Sequence, residues 1–386
     1  MAARLTRLDA ATWGAFAIFG TSGVVVAVCL PEISRDLSIG LSEGGGLETA
    51  RTCVFPVVLI LAGLGARRWG KKGLLASGQF VLAAGLLGAS LAGSYLALVV
   101  SLMLVGAGAA FSEALVNPLV FDLHPEDSGT HLNMTNAFYP IGVMASALLF
   151  GELLTLGCSW RFVFRLAAGA AAAVGVAFCI SRFPPPAEGA RATRSEAARI
   201  LRAPAFWLFA AAIFLGAGAE SALTFWSRSY VAAALGDAPR AGAVAVVIFA
   251  GAMAAGRLLA ARLTRSLGLR TIMVASAVLG LLAGALLPFA AGLASFYALV
   301  AVAGVATACF WPTILAAAAG RLKADPIILF VLLACSGMTG VGVTPLVMGA
   351  VGDAAGLRAA LAVVPGLFAA LMVVLGVEWR TRGGKP

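Results

Sequence analysis

The sequence predicts an all-α polytopic membrane protein, twelve transmembrane helices in two six-helix bundles. Three observations carry that reading. Apolar residues make up 61% of the chain and charged residues only 11%, where a water-soluble domain carries about a quarter charged residues. About twelve stretches are long and apolar enough to span a bilayer, which takes roughly twenty residues each. A single long polar break, beginning at Pro184-Pro185-Pro186, then divides those stretches into equal sets. Mean hydropathy of +1.00 leaves no soluble fold able to hide that much apolar surface. The 46 glycines among 386 residues exceed the usual ~7% and suit membrane helices that pack backbone to backbone.

In chain order, the first half supplies spans near Trp13 to Leu30, Gly45 to Gly65, Gly73 to Gly93, Tyr95 to Phe121, Thr135 to Gly157 and Phe162 to Phe183. The run after Arg4 and Arg7 is too long for a signal peptide and is followed by many more, so it reads as the first span. Three consecutive prolines and the arginines Arg182, Arg191, Arg194, Arg199 and Arg202 make the central break a linker able to carry a short surface helix. The second half supplies Pro204 to Tyr230, Ala241 to Leu263, Thr271 to Ala291, Ser295 to Gly320, Ile327 to Val351 and Leu357 to Val377. The expected organisation is a bundle over 1–183, a linker over 184–203 and a bundle over 204–386. An internal echo supports related halves: Arg67-Arg68-Trp69-Gly70-Lys71-Lys72 after the second span and Arg265-Ser266-Leu267-Gly268-Leu269-Arg270 after the eighth lie about half the chain apart.

Charge sets the expected orientation. With the N-terminus inside, twenty of the 27 basic residues fall on the cytoplasmic side, in keeping with the positive-inside rule. An even number of spans places both termini in the cytoplasm, and a cell inner (plasma) membrane is expected. The net charge of +10 is not gathered into a basic stripe with interleaved aromatics, so the partners expected are lipid and a small-molecule substrate, with no nucleic acid. A monomer is expected.

Enzyme chemistry finds little foothold. The cysteines Cys29, Cys53, Cys158, Cys179, Cys309 and Cys335 sit inside or at the ends of apolar segments without metal-ligand spacing, and no metal site is expected. The two histidines, His124 and His131, lie in the loop joining the fourth and fifth spans. No Gly-rich phosphate loop, paired-carboxylate site or nucleophile motif is present. An ATP-driven pump would need a nucleotide-binding domain, and none is evident; no catalytic residue and no cofactor is expected, a proton gradient being the expected energy source.

Ionisable groups within spans are the informative ones, since each costs on the order of 2.5 to 3.5 kcal/mol at mid-bilayer unless paired or facing a watery cavity. Glu113 and Glu220 lie nearest the middle of their helices, and both are candidate proton-coupling groups. Glu113 and Asn117 are four residues apart and share a face, and Pro118 removes a backbone donor beside them. Glu48 and Arg51, three residues apart, read as a structural pair or gate. Asn117, Asn136, Trp226, Thr21 and Trp311 are candidates to line a substrate cavity. Trp226 serves equally as a stacking platform or as an interface aromatic. Arg67, Arg68, Gly70, Arg257 and Pro118 are assigned gating or structural roles.

These features together resemble the major facilitator superfamily over essentially the whole chain. Glu113 to Pro118, Leu132-Asn133-Met134-Thr135-Asn136-Ala137-Phe138 leading into Gly142, and Gly218-Ala219-Glu220 with Trp226 and Tyr230 resemble the fucose permease branch of sugar:proton symporters, which includes glucose and galactose carriers. Most superfamily members carry an acidic residue in the turn after the second helix. Arg67 stands there in this chain, as basic residues do in that branch. Gly256-Arg257, Pro312-Thr313 and Pro345 with Gly349 to Asp353 resemble general superfamily marks. Where fucose permease has a functional Asp in its first helix, this chain offers Thr21 and Ser22. The resemblance implies proton-coupled movement of a small polar, monosaccharide-like solute by alternating access. A proton-antiport exporter of an amphipathic metabolite or drug is the alternative.

Overall fold

The computed structural model describes residues 6–184, 194–236 and 238–381. Arg4, Arg191 and the basic tail from Arg382 lie outside them. Twelve helices among the described residues are long and apolar enough to cross a membrane: α1 Arg7–Leu37, α2 Leu41–Ala66, α3 Arg68–Leu91, α4 Tyr95–Leu123, α5 His131–Thr155, α6 Trp160–Ile180, α7 Pro204–Ala234, α8 Pro239–Ala260, α9 Ser266–Phe289, α10 Leu293–Leu322, α11 Ile328–Ala355 and α12 Leu357–Arg380. No strand occurs among the described residues. Large apolar side chains such as Val57, Leu61, Leu282 and Val373 stay exposed, as a lipid-facing surface requires and a soluble monomer avoids. The protein is a multi-pass membrane protein.

Local chemistry sets the ends of these helices. α1 opens on a capping box: the Thr6 hydroxyl accepts the Asp9 N–H at 3.2 Å, and the Asp9 carboxylate accepts the Thr6 N–H at 2.7 Å. That satisfies two donors a helix N-terminus otherwise orphans. Ser94 and Ser159 cap α4 and α6 in the same manner through their hydroxyls. α1 stops where Ser38 turns left-handed, at φ 52°. Two helices are broken by proline. α10 loses helical continuity at Ala308–Cys309, where Pro312 cannot donate to the carbonyl four residues back, and α2 is interrupted at Val54 ahead of Pro56 for the same reason.

By packing the chain divides into two units, one of residues 1–39 and 50–189, the other of residues 40–49 and 190–386. Within the first, α1 and α5 approach so closely that a Cβ on Gly20 would stand 2.3 Å from the Tyr139 carbonyl oxygen, and one on Gly142 2.2 Å from that of Ala17. Within the second, α7 and α11 repeat the device: a Cβ on Gly340 would lie 2.2 Å from the Phe214 carbonyl oxygen, and one on Gly218 2.4 Å from the Thr344 hydroxyl. Lipid tails are as apolar as leucine, so helices in a bilayer associate through such close backbone contact more than through the hydrophobic effect. A cluster built on Leu8, Phe16, Leu75, Leu119 and Phe178 fills the first unit beside these contacts.

The sequence echo has a backbone counterpart. Gly70, in the first turn of α3, has φ 73° and ψ 158°, and Gly268, in the first turn of α9, has φ 76° and ψ 154°. This region is essentially closed to residues with a Cβ. Each unit therefore makes its basic turn with the same glycine conformation.

Candidate functional site

In the first unit the sequence candidates on α4 and α5 come together. The Asn136 side-chain N–H donates to the Asn117 carbonyl oxygen at 2.8 Å and to the Leu132 backbone oxygen at 2.8 Å. Glu113, one turn before Asn117, is half-buried, and among the described residues it makes no hydrogen bond or ion pair. Three polar side chains thus occupy adjacent positions on two facing helices, and one is a carboxylate without a fixed countercharge. Beyond them Lys71 donates to the Pro118 carbonyl at 3.0 Å and pairs with Asp122. Lys72 donates to the Ser181 carbonyl at 3.0 Å, at the end of α6. The basic turn at Gly70 therefore supplies donors to the Pro118 carbonyl within α4 and to the carbonyl just past the end of α6. Arg68 is exposed and lies over the Trp69 ring. The Arg67 side chain lies outside the described residues.

Thr21 is buried, and its hydroxyl bonds both the Ala17 carbonyl at 3.0 Å and the Ser146 hydroxyl at 2.7 Å. It ties α1 to α5, which uses up its polar atom. Two aromatics not singled out from the sequence stand nearer to a ligand role. Trp13 and Phe138 stack at 5.0 Å with planes 4° apart, both half-buried, Phe138 lying two residues past Asn136 and so on another side of α5. Their signal was legible as an aromatic on each of two spans, but only the fold brings the rings face to face.

In the second unit Glu220 is half-buried on α7, and Arg257 of α8 is an opposite charge acting on it. The two make no ion pair, and the buried Arg257 Nε has no hydrogen-bond partner. An acid and a base thus attract one another without touching, an arrangement that a polar ligand can bridge. Trp226 is wholly buried, its N–H donating to the Pro345 carbonyl at 3.2 Å and its ring edge-on to Phe225. It offers no open ring face and sits in neither of its two expected settings. Trp311 is half-buried and packs against the bare backbone of Gly337.

Sequence reading passed over Arg228, a cation 1% exposed on α7, eight residues and so about 80° round the helix from Glu220. A charge within an apolar span carries the same signal as the carboxylates did. Glu48 and Arg51 are both buried, at 2% and 3% exposure. The start of α2 packs within the second unit, where Asp353 of α11 accepts the Leu41 and Ser42 N–H groups, each at 2.9 Å, together with the Ser42 hydroxyl. One carboxylate therefore caps the N-terminus of another helix.

A family model described as Major Facilitator Superfamily matches residues 12–244. No curated protein matches. Among solved structures, a bacterial homolog of the human lysosomal transporter Spinster, in an inward-facing and occupied conformation, superposes with a TM-score of 0.84 at 14% identity, covering 97% of this chain and 96% of that one. The nucleoside transporter NupG gives 0.79 at 14% identity over 97% and 98% of the two chains. The major facilitator transporter FucP, in the outward conformation, gives 0.66 at 18% identity over 96% and 98%. At these identities the likeness is one of fold.

Proposed function

This chain belongs to the major facilitator superfamily, and from that premise we propose that it carries a small polar, monosaccharide-like solute across an inner (plasma) membrane together with a proton, by alternating access. The observation that carries the reading is Glu113: a carboxylate within a span, without a fixed countercharge among the described residues, one turn from the Asn117–Asn136 amide pair. Such a group is costly in a bilayer and is retained where it serves a pathway. A carboxyl that no guanidinium or ammonium holds ionised can exchange its proton with whichever aqueous face reaches it. A proton moving down the membrane potential gains about 2.3 kcal/mol per 100 mV, enough to bias a near-balanced cycle.

The other parts take supporting roles. Asn117 and Asn136 present amide donors and acceptors to hydroxyl groups, and the stacked Trp13–Phe138 rings offer an apolar face of the kind sugar rings lie against. Glu220 and Arg257 form the polar site of the second unit, with Trp311 as a further aromatic. Thr21 and Trp226 are left out of the binding set, because their polar atoms are already engaged. Both termini are cytoplasmic in this reading, the protein acts as a monomer, and the proton gradient takes the place of a cofactor.

The test is Glu113→Gln in liposomes. A permanently neutral side chain mimics the protonated carrier, so substrate-driven proton movement should vanish while equilibrium exchange of substrate between the two sides survives. Accumulation against a gradient with the pH dependence of the parent protein would remove Glu113 from the coupling role. Proton movement opposite in sense to the solute would make the protein an antiporter.

A further inference from the structure

Outside the transport machinery, the fold assembles a cluster of side chains that the proposed function does not use. Asp9 in the first turn of α1, His124 at the end of α4 and His131 at the start of α5 are 2%, 8% and 7% exposed. The His124 Nε2 lies 2.7 Å from Asp9 Oδ1. The two imidazoles stack with centroids 3.5 Å apart and planes 8° from parallel. One ligand atom from each of the three residues lies within 4.8 Å of the other two. Among the described residues this is the one group of three or more His, Cys, Asp or Glu so gathered.

We infer that Asp9, His124 and His131 form a site for one divalent cation of the zinc class. The donor set is two imidazoles and one carboxylate, which suits zinc and its neighbours and is poor for magnesium or calcium. Metal–ligand bonds of about 2.0–2.1 Å in a tetrahedron set ligand atoms about 3.3 Å apart. The cluster reaches that geometry by opening the Asp9–His124 contact a little, closing the remaining separations and turning one imidazole out of the stack, so that both ring lone pairs meet at the metal. Two details point to a ligand beyond mutual packing. His131 Nδ1 is buried and has no hydrogen-bond partner, a costly state for a ring nitrogen that a metal bond would relieve. Asp9 is already held from behind, since its Oδ2 accepts the Thr6 N–H at 2.7 Å and the Thr6 hydroxyl at 2.8 Å. Its Oδ1 is thereby fixed toward the histidines, as outer partners fix metal-ligating carboxylates.

Three protein ligands leave a fourth position for water. Binding takes the proton out of the Asp9–His124 contact, because an imidazole nitrogen ligates only without it, and a neutral ring carries its proton on the other nitrogen. All three ligands belong to the first unit, so the metal braces one unit internally, tying the start of α1 to the connection between α4 and α5.

The experiment uses the full chain, purified in detergent and stripped of metal. Zinc should bind at one equivalent and raise the thermal midpoint in a concentration-dependent way, whereas magnesium should not. Cobalt should bind in its place with the visible absorption of a four-coordinate nitrogen–oxygen site. His131→Ala and Asp9→Asn should each weaken zinc binding at least about tenfold and abolish that absorption. The cobalt spectrum of the unaltered protein keeps the test decisive should a variant fold poorly. Absence of stoichiometric zinc binding by the unaltered protein overturns the inference. Undiminished binding by a folded His131→Ala variant does so too, by placing the metal elsewhere, for example on the exposed thiols of Cys53 and Cys179.

Discussion

Glu220 shows what a single residue contributes. Its carboxylate is half-buried, takes no hydrogen bond among the described residues, and is attracted by an Arg257 that does not reach it. A pair held for stability alone closes into contact, since an unclosed pair bears the desolvation cost of two charges for little Coulombic return. Glu220→Gln should therefore lower substrate affinity by roughly tenfold or more, the loss of one charge-assisted hydrogen bond, while moving the thermal midpoint little. Unchanged affinity with a clearly lowered midpoint would identify Glu220 as a member of a structural ion pair. The sequence located this residue because a carboxylate in an apolar span is conspicuous wherever it points. It could not indicate that Trp226, six positions on, spends its N–H on the Pro345 carbonyl. A side chain's partner lies on another helix, and one-dimensional spacing does not encode it.

Between helices, glycine position decides how close two backbones come. Gly340 on α11 faces the Phe214 carbonyl of α7, where a Cβ would fall 2.2 Å away, whereas a Cβ on Gly366 of α12 meets nothing within 4 Å. Both lie inside helices, so intrinsic propensity favours alanine at each by about 1 kcal/mol. At Gly340 the backbone must shift to admit the methyl, at a cost of about 1–3 kcal/mol. Thermal denaturation in detergent should therefore show Gly340→Ala destabilised and Gly366→Ala neutral or stabilised. Equal midpoints for the two would refute close packing of α7 on α11. The abundance of glycine was legible in the composition, but the sequence does not say which glycine meets a backbone and which meets lipid.

At the scale of the whole molecule the orientation proposed for the chain in the membrane rests on where the basic residues fall. The surface helix Arg194–Arg202 is anchored through Glu196, which pairs with Arg199 and accepts the Asp325 N–H at 3.2 Å. The Arg199 hydrogen bond holds the Glu196 carboxyl below the usual carboxylate range, so the anchor persists into mildly acidic conditions. Ser195 on this helix is exposed. In a variant whose exposed Cys53 and Cys179 are replaced, Ser195→Cys should react with a membrane-impermeant thiol reagent only from the cytoplasmic side. Labelling of intact cells from outside would invert the orientation, and with it the placement of both termini.

The sequence by itself determined the class of protein, the number of spans and the family, because all three rest on quantities that add along the chain. Hydropathy sums over about twenty residues, and the bilayer demands that every span satisfy its own backbone. Gly70 and Gly268 likewise matched from sequence to structure, since a turn between helices is a local event and only glycine holds that conformation. Tertiary structure alone decided which polar atoms remain available. It joined Asn136 to Asn117, consumed the Thr21 hydroxyl on Ser146, stacked Trp13 on Phe138 and brought Asp9 across 115 residues to His124. Each of these is a pairing between helices whose mutual rotation is set by close packing of small residues. That rotation depends on all the partner surfaces at once, so no single helix carries it in its own sequence.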